Sequence, residues 1–296
     1  MKKIIFDCDN TMGVTGCDVD DGLALIYLLG KSSAELLGIT TTYGNSDVET
    51  VYANTSRMLS DLDRQDIPVL KGCASRKQIE SEAAEYILDT VMANKGDISL
   101  LATGSLTNLY AAYLLDNTIF EQVSEVVLMG GIQQELIING ILLNELNFSC
   151  DPAATACALK NARNLSIITG NHCLDAFFTK QEFKERLSFC DQPIGKYIAQ
   201  TCSYWFENMM KRFNLNGFHN WDVVAAAYLM NPALFKDHYD NILLDLNNLK
   251  TGFLKEGERE EDNKTSQVNI PVIDNLREFT KDVYTAWLGV TVSYPF

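Results

Sequence analysis

The sequence predicts an open, mostly parallel, doubly wound (Rossmann-like) α/β sheet with helices on both faces, built as one domain over residues 1–296. Three observations carry that expectation. Apolar runs of about five residues alternate with helix-length amphipathic stretches, the pattern of βαβ units. Each run stops at a polar loop of Gly, Asn, Asp or Thr, as strands do beside a ligand crevice. No internal repeat and no linker-like tract divides the chain.

Taken in order, Ile4-Ile5-Phe6 is a buried strand that delivers Asp7-Cys8-Asp9-Asn10 at its carboxyl end. A helix starts near Asp20, with Leu23, Ile26, Tyr27 and Leu29 as its apolar stripe and Gly30 as its stop. Glu35–Thr42 is the second strand, ending at Gly44-Asn45, and Asp47–Leu62 is a long helix. Pro68–Leu70 and Ile98–Ala102 are further strands, the latter ending in Thr103-Gly104-Ser105 before a helix over 108–115. Ser124–Met129 is a strand closed by Gly130-Gly131, Pro152–Leu159 a helix, and Leu165–Thr169 a strand ending at Gly170-Asn171. The charged run Lys255–Gln267 reads as a solvated loop or hairpin.

Composition narrows the function. With 47% hydrophobic and 21% charged residues the chain has the makings of a packed core, so disorder is excluded. The net charge of −15 repels phosphate backbones and anionic membranes, so neither nucleic acid nor membrane is an expected partner. No apolar run approaches the roughly 20 residues of a membrane span. Asp7 interrupts the apolar opening, so no signal peptide is expected. The eight scattered cysteines read as reduced thiols of a cytoplasmic protein. Zinc is not expected, because there is no Cys-x-x-Cys pair and only three histidines.

The chemistry concentrates in acids. Asp7, Asp9, Asp18, Asp20 and Asp21 fall within fifteen positions, and carboxylates that close repel unless a cation holds them. Oxygen-only ligation suits Ca²⁺ or Mg²⁺, with Ca²⁺ the more tolerant of irregular sites that include backbone carbonyls. A helix dipole favours an acid at Asp20 or Asp21 singly, but not the whole set. Asp7-Cys8-Asp9-Asn10-Thr11 also resembles the motif of haloacid-dehalogenase-type phosphatases, which implies Asp7 as nucleophile and Mg²⁺ as cofactor.

A second resemblance covers far more of the chain. Asp7-Cys8-Asp9 read with Asp18-Val19-Asp20-Asp21-Gly22-Leu23-Ala24 resembles the N-terminal signature of the inosine-uridine preferring nucleoside hydrolases. In order come Thr42–Asn45, Ala102–Leu109, Val126–Gly131, Asn139, Glu145–Phe148, Asp151–Ala154 and Asn220-Trp221-Asp222, each similar to a segment of that family and each at an expected strand end or loop. The resemblance implies hydrolysis of the N-glycosidic bond of ribonucleosides to ribose and free base, a glycosidase activity of purine salvage. It implies Ca²⁺ held by Asp9, Asp21, the Thr103 carbonyl and Asp222, with Asp9 as general base. Asp20, Asn45, Asn139, Glu145 and Asn147 would hold ribose hydroxyls, with Met129 beside the sugar, in a homodimer or homotetramer. A non-catalytic nucleoside-binding protein is a further alternative.

The departures matter too. Ten residues, 10–19, separate Asp9 from Asp20 where the family has Pro-Gly-x, and Asp18 among them reads either as a substitute ligand or as a helix N-cap. Leu146 replaces a Phe, and Trp221 stands where inosine-uridine preferring members have a His. Trp221 therefore stacks on a base, as in the purine-preferring branch, or is a core aromatic. His219 is either the acid for the leaving base or an exposed loop residue; His172 could face the cleft, and His238 reads as surface. Tyr43, Tyr204, Trp205 and Phe206 line a base pocket or belong to the core, whereas Cys8, Cys17 and Cys150 read as bystanders.

Overall fold

The computed structural model describes residues 1–189, 191–258 and 264–292. Strands β1 (Lys2–Cys8), β2 (Ala34–Thr41), β3 (Val69–Lys71), β4 (Ile98–Ala102) and β5 (Glu125–Met129) come first along the chain. A hairpin of β6 (Leu136–Ile138) and β7 (Ile141–Leu143) follows, then β8 (Leu165–Ile168), β9 (Phe177–Thr179), β10 (Gly217–His219) and β11 (Phe235–Lys236). The last are β12 (Tyr239–Leu243), β13 (Thr265–Asn269) and β14 (Val272–Ile273). Eight of them form one sheet in the order β12-β13-β8-β5-β4-β1-β2-β3. Its neighbours run parallel except β12 against β13. The six strands read from sequence are all present, so the doubly wound expectation holds. Strands β12 and β13 at one edge, antiparallel to each other, are the sheet elements it did not anticipate.

Strand alternation divides the core into two layers, because successive side chains leave a strand on opposite faces. Ile4, Phe6, Leu101 and Val127 point to one layer, covered by helices Asp20–Leu29, Val48–Asp61, Trp221–Met230 and Leu276–Leu288. Ile5, Leu100, Val126 and Leu128 point to the other, beneath helices Glu82–Ala93, Thr107–Leu115 and Pro152–Asn161. The chain moves outward from β1 through β2 to β3, then returns to the other side of β1 with β4. The direction of winding therefore reverses between β1 and β4, and the crevice beyond their carboxyl ends is the expected ligand site. Asp9 and Thr103 are the residues just past those two ends. Of the run expected as a solvated loop or hairpin, Thr265–Gln267 are strand, while 259–263 lie outside the described residues.

The inserted segment 10–19 is an ordered loop, not a longer helix. Met12 is buried, its N–H donating to Asn10 Oδ1, and the Asn54 amide donates to the carbonyls of Asn10 and Met12. Its exposed turn bends at Gly13 and Gly16, both at φ 94°, where a side chain would be strained. The Tyr204 hydroxyl donates to the Cys17 carbonyl at 3.1 Å and ties the loop to helix Ser203–Phe213.

Candidate active site

Two helices present acidic first turns to the crevice. Asp20 and Asp21 open helix Asp20–Leu29, and Asp222 is the second residue of helix Trp221–Met230. The partial positive charge of a helix N-terminus favours carboxylates there. Between them, Asp20, Asp21 and Asp222 place carboxylate oxygens within 4.8 Å of one another, all buried. That proximity leaves its mark on their acidity. Burial pushes Asp20 up to about 6, with the charge of Asp9 adding to the shift. Burial, then neighbouring carboxylates, hold Asp21 and Asp222 well above the carboxylate range.

Asp9 is fully buried beside this trio. Its carboxylate accepts the Asn45 backbone N–H at 2.5 Å and the Asn45 side-chain amide at 3.4 Å. Gly44 has to be glycine, since a Cβ there would collide with the Asp9 carboxylate. Burial raises Asp9 above its ordinary value. Thr103 completes the arrangement: its hydroxyl donates to Asp21 at 2.6 Å, and its carbonyl accepts the Asn147 amide at 2.8 Å.

Above the acids lies a cavity of about 220 Å³. Asp20, Thr103 and Asp222 form its floor, with Asn45, Met129, Glu145, Asn147 and Trp221 among its walls. Asn147 spends its amide hydrogens on the Thr103 and Met129 carbonyls, leaving Oδ1 as what it can offer a hydroxyl. Glu145 accepts backbone N–H groups from Gly131, Phe148 and Ser149 at 2.9–3.1 Å, which fixes its carboxylate at the wall. The hairpin β6/β7 roofs the cavity through Leu136 and Leu143. A narrower annex of about 60 Å³ adjoins it, sharing Asp18, Leu143, Arg212 and Trp221 and otherwise lined by Ile138, Trp205, Met209, Phe213, Phe218 and His219.

Most residues expected at the site therefore do meet. Asn139 does not: it sits exposed at the hairpin turn, φ 48°, with its amide donating to the Phe213 carbonyl at 2.8 Å. Asp20, expected among the sugar-binding residues, is also a member of the tight carboxylate trio. Asp18 is not a helix cap, because Val19 holds the N-cap position; its carboxylate accepts the Val19 N–H at 2.7 Å and borders both cavities. Trp221 is half-buried with its side chain on both walls, not a core aromatic.

Asp7 is the clearest correction. It follows Phe6 on β1, so alternation turns it to the layer opposite Phe6. There Oδ2 accepts the Thr40 hydroxyl at 2.6 Å and the Asn108 amide at 2.7 Å, with burial raising its pKa to about 7. It lines no described cavity, so the phosphatase reading loses its nucleophile. His219 is not an exposed loop residue; burial lowers it to about 4, leaving it neutral at physiological pH. His172 lines neither cavity, and His238 is exposed as expected, paired with Asp240. Trp205 alone of the four candidate aromatics reaches the annex; Tyr43 and Tyr204 make structural hydrogen bonds, and Phe206 is core. Burial raises the Cys8, Cys17 and Cys150 thiols, so none is primed as a nucleophile.

The wall residues Asn144, Leu136, Leu143 and Arg212 escaped the sequence reading. Asn144 directly precedes Glu145 and could have been found there. Arg212 lies in the basic last turn of a helix, where its charge reads as complementing the dipole.

A switch point of a parallel sheet floored with buried acids, walled by amides and a carboxylate and opening onto aromatic side chains, suits an enzyme acting on a polar, ring-bearing substrate. The chain belongs to the inosine-uridine preferring nucleoside hydrolase family, a model of which matches residues 4–281. It is a ribonucleoside hydrolase, hence a glycosidase. A pyrimidine-specific ribonucleoside hydrolase RihB from Escherichia coli O9:H4 (strain HS) is 25% identical over 273 residues, covering 83% of this chain and 84% of the relative. Two solved structures share the fold. A plant nucleoside hydrolase, the PpNRh1 enzyme, superposes with a TM-score of 0.86 at 19% identity, covering 97% of this chain and 99% of that one. A purine-preferring ribonucleoside hydrolase from Gardnerella vaginalis gives 0.82 at 24%, covering 98% and 99%.

Proposed function

We propose that this hydrolase is Ca²⁺-dependent and prefers purine ribonucleosides. The observation that carries the reading is the buried trio Asp20, Asp21 and Asp222, with oxygens within 4.8 Å at the sheet switch point. Oxygens so spaced can share one hard cation at calcium–oxygen distances of about 2.3–2.6 Å. Irregular, wholly oxygen ligation beside the Thr103 carbonyl supports Ca²⁺ over Mg²⁺. Asp21, Asp222, Asp9 and the Thr103 carbonyl would hold the ion. Bound there, the ion supplies positive charge that acidifies water.

The protein groups divide the remaining work. Asp9, anchored by Asn45, takes the proton from the attacking water. Asp20, Asn45, Glu145 and Asn147 bind ribose hydroxyls, with Met129 packed against the sugar; Asn139 could join them only if its turn reached inward. As the C1′–N bond breaks, positive charge grows on the ribosyl ring, and the surrounding carboxylates stabilise it. Trp221, on the wall shared with the annex, stacks on the base.

The purine preference rests on that Trp, since the Escherichia coli relative is named pyrimidine-specific and the Gardnerella vaginalis one purine-preferring. One sheet carrying strands from Lys2 to Asn269 supports a single domain over 1–296. The seven described cysteines are unpaired, in keeping with a reducing cytoplasm, and no described helix is long and apolar enough to cross a membrane. A homodimer or homotetramer completes the reading, and the exposed Ile137, Ile141 and Leu142 offer a contact surface. The test is ribose release from inosine, adenosine, guanosine, uridine and cytidine, with calcium, magnesium or chelator. Faster turnover of the purine set, lost in chelator and restored by calcium, is expected; pyrimidine preference or full activity in chelator overturns the respective half.

A further inference from the structure

Cleaving an N-glycosidic bond leaves the bonding electron pair on the base nitrogen, so the site must accommodate negative charge on the base as well as positive charge on the sugar. The acids serve the sugar, and Asp18 alone among them also borders the annex, where it offers no positive charge to a departing anion. His219, the only titratable group confined to the annex, is neutral at physiological pH because burial depresses it to about 4, and the indole of Trp221 is no acid.

One cation remains. Arg212 lines both the acid-floored cavity and the aromatic annex, and it is the only lysine or arginine on either wall among the described residues. It closes helix Ser203–Phe213, with its guanidinium 5.1 Å from the centre of the Phe213 ring. Among the described residues no carboxylate pairs with it, so its N–H donors remain available. It lines the annex together with Trp221, the indole assigned to the base, and with Leu143 of the hairpin, whose turn residue Asn139 donates to the carbonyl of the adjacent Phe213.

We propose that Arg212 is a catalytic residue that binds the departing base, donating hydrogen bonds to a ring nitrogen or carbonyl oxygen as that base gains negative charge. Resting on the hydrolase reading, the inference adds the group that handles the leaving base. The C1′–N bond breaks with both electrons going to nitrogen. The water oxygen forms the new bond to C1′, and its proton goes to Asp9. The guanidinium keeps all its protons, so the base is protonated afterwards by solvent. A planar guanidinium suits the purine N7 and O6 edge and the pyrimidine O2 or O4 alike. It therefore raises the rate for both classes, while stacking discriminates between them.

The discriminating probe is a leaving group that needs no help. The wild type, R212Q and R212K are assayed on the best nucleoside of the ribose-release panel and on p-nitrophenyl β-ribofuranoside, whose phenolate departs unaided. R212Q is expected to lower kcat on the nucleoside about a hundredfold, the scale of one lost donor to developing charge, and on the aryl riboside less than about threefold. R212K, which keeps the charge and loses the fork, recovers part of the nucleoside loss. Arg212 is exposed, so melting temperatures should match and confirm folded variants. Equal losses on the two substrates, or no loss on the nucleoside, overturn the role. A wild type inactive on every nucleoside overturns the hydrolase reading instead, and this inference with it.

Discussion

Asp222→Asn should stabilise the metal-free protein and destabilise the calcium-loaded one. Asp222 is 2% exposed and lies within 4.8 Å of two other carboxylates. At that separation two unit charges repel by about 3.5 kcal/mol at an effective dielectric of 20. The raised pKa values of the trio mean that protons already relieve much of this, so the net gain in chelator is about 1 kcal/mol at pH 8, where ionisation is greater than at neutral pH. For a chain of this size that corresponds to a melting temperature higher by about 2 °C. With calcium at a thousandfold excess over its dissociation constant, the wild type gains about 4 kcal/mol that the variant lacks. Thermal melting of both proteins in EDTA and in calcium therefore shows the order of stability reversing. A variant less stable than wild type in both conditions by the same amount refutes the reasoning, and Asp222 is then merely a structural acid.

Asp9→Ala should abolish ribose release by removing the general base, and more than a tenth of the wild-type rate would count against that role. Asp7→Asn should keep most of the activity, since an amide oxygen can still accept from Thr40 and Asn108. The folded pKa of Asp7, about 7, lies above that of the unfolded chain, so its ionisation costs stability as pH rises between roughly 4 and 7. Asp7→Asn should flatten that decline in chemical denaturation, and an unchanged pH dependence contradicts it. Trp221→Ala should harm purine nucleosides more than pyrimidine ones in kcat/KM; equal losses reduce Trp221 to packing.

The fold and the acid cluster were legible because both follow local rules. Short apolar runs ending at Asp9, Asn45, Thr103 and Gly130 mark strand ends, and strand ends at a winding reversal converge wherever the loops lead. The phosphatase alternative for Asp7 could have been set aside from sequence: a residue inside β1 takes the face opposite Phe6 and Cys8, and only Asp9, past the strand, escapes that alternation. The roof and annex were not legible. Leu136 and Leu143 come from a hairpin, and Arg212 from a helix that begins at Ser203, well beyond the hairpin's start at Leu136; nothing periodic brings them together. Asp18 was ambiguous because the path of the insertion depends on remote anchors at Asn54 and Tyr204.

That loop also explains how an acid-rich site acquires an orientation. Asp20 and Asp222, next to buried Asp21, line the main cavity, whereas Trp205, Phe213 and Phe218 line the annex, with Trp221 and Arg212 on both. Heterolysis of a glycosidic bond creates a cation on the sugar and an anion on the base. A sugar turned toward the acids and a base toward the arginine therefore experience fields that both favour separation. The reverse orientation would oppose it at each end. The loop supports this polarity by holding helix Ser203–Phe213 through Tyr204, the helix whose last turn carries Arg212.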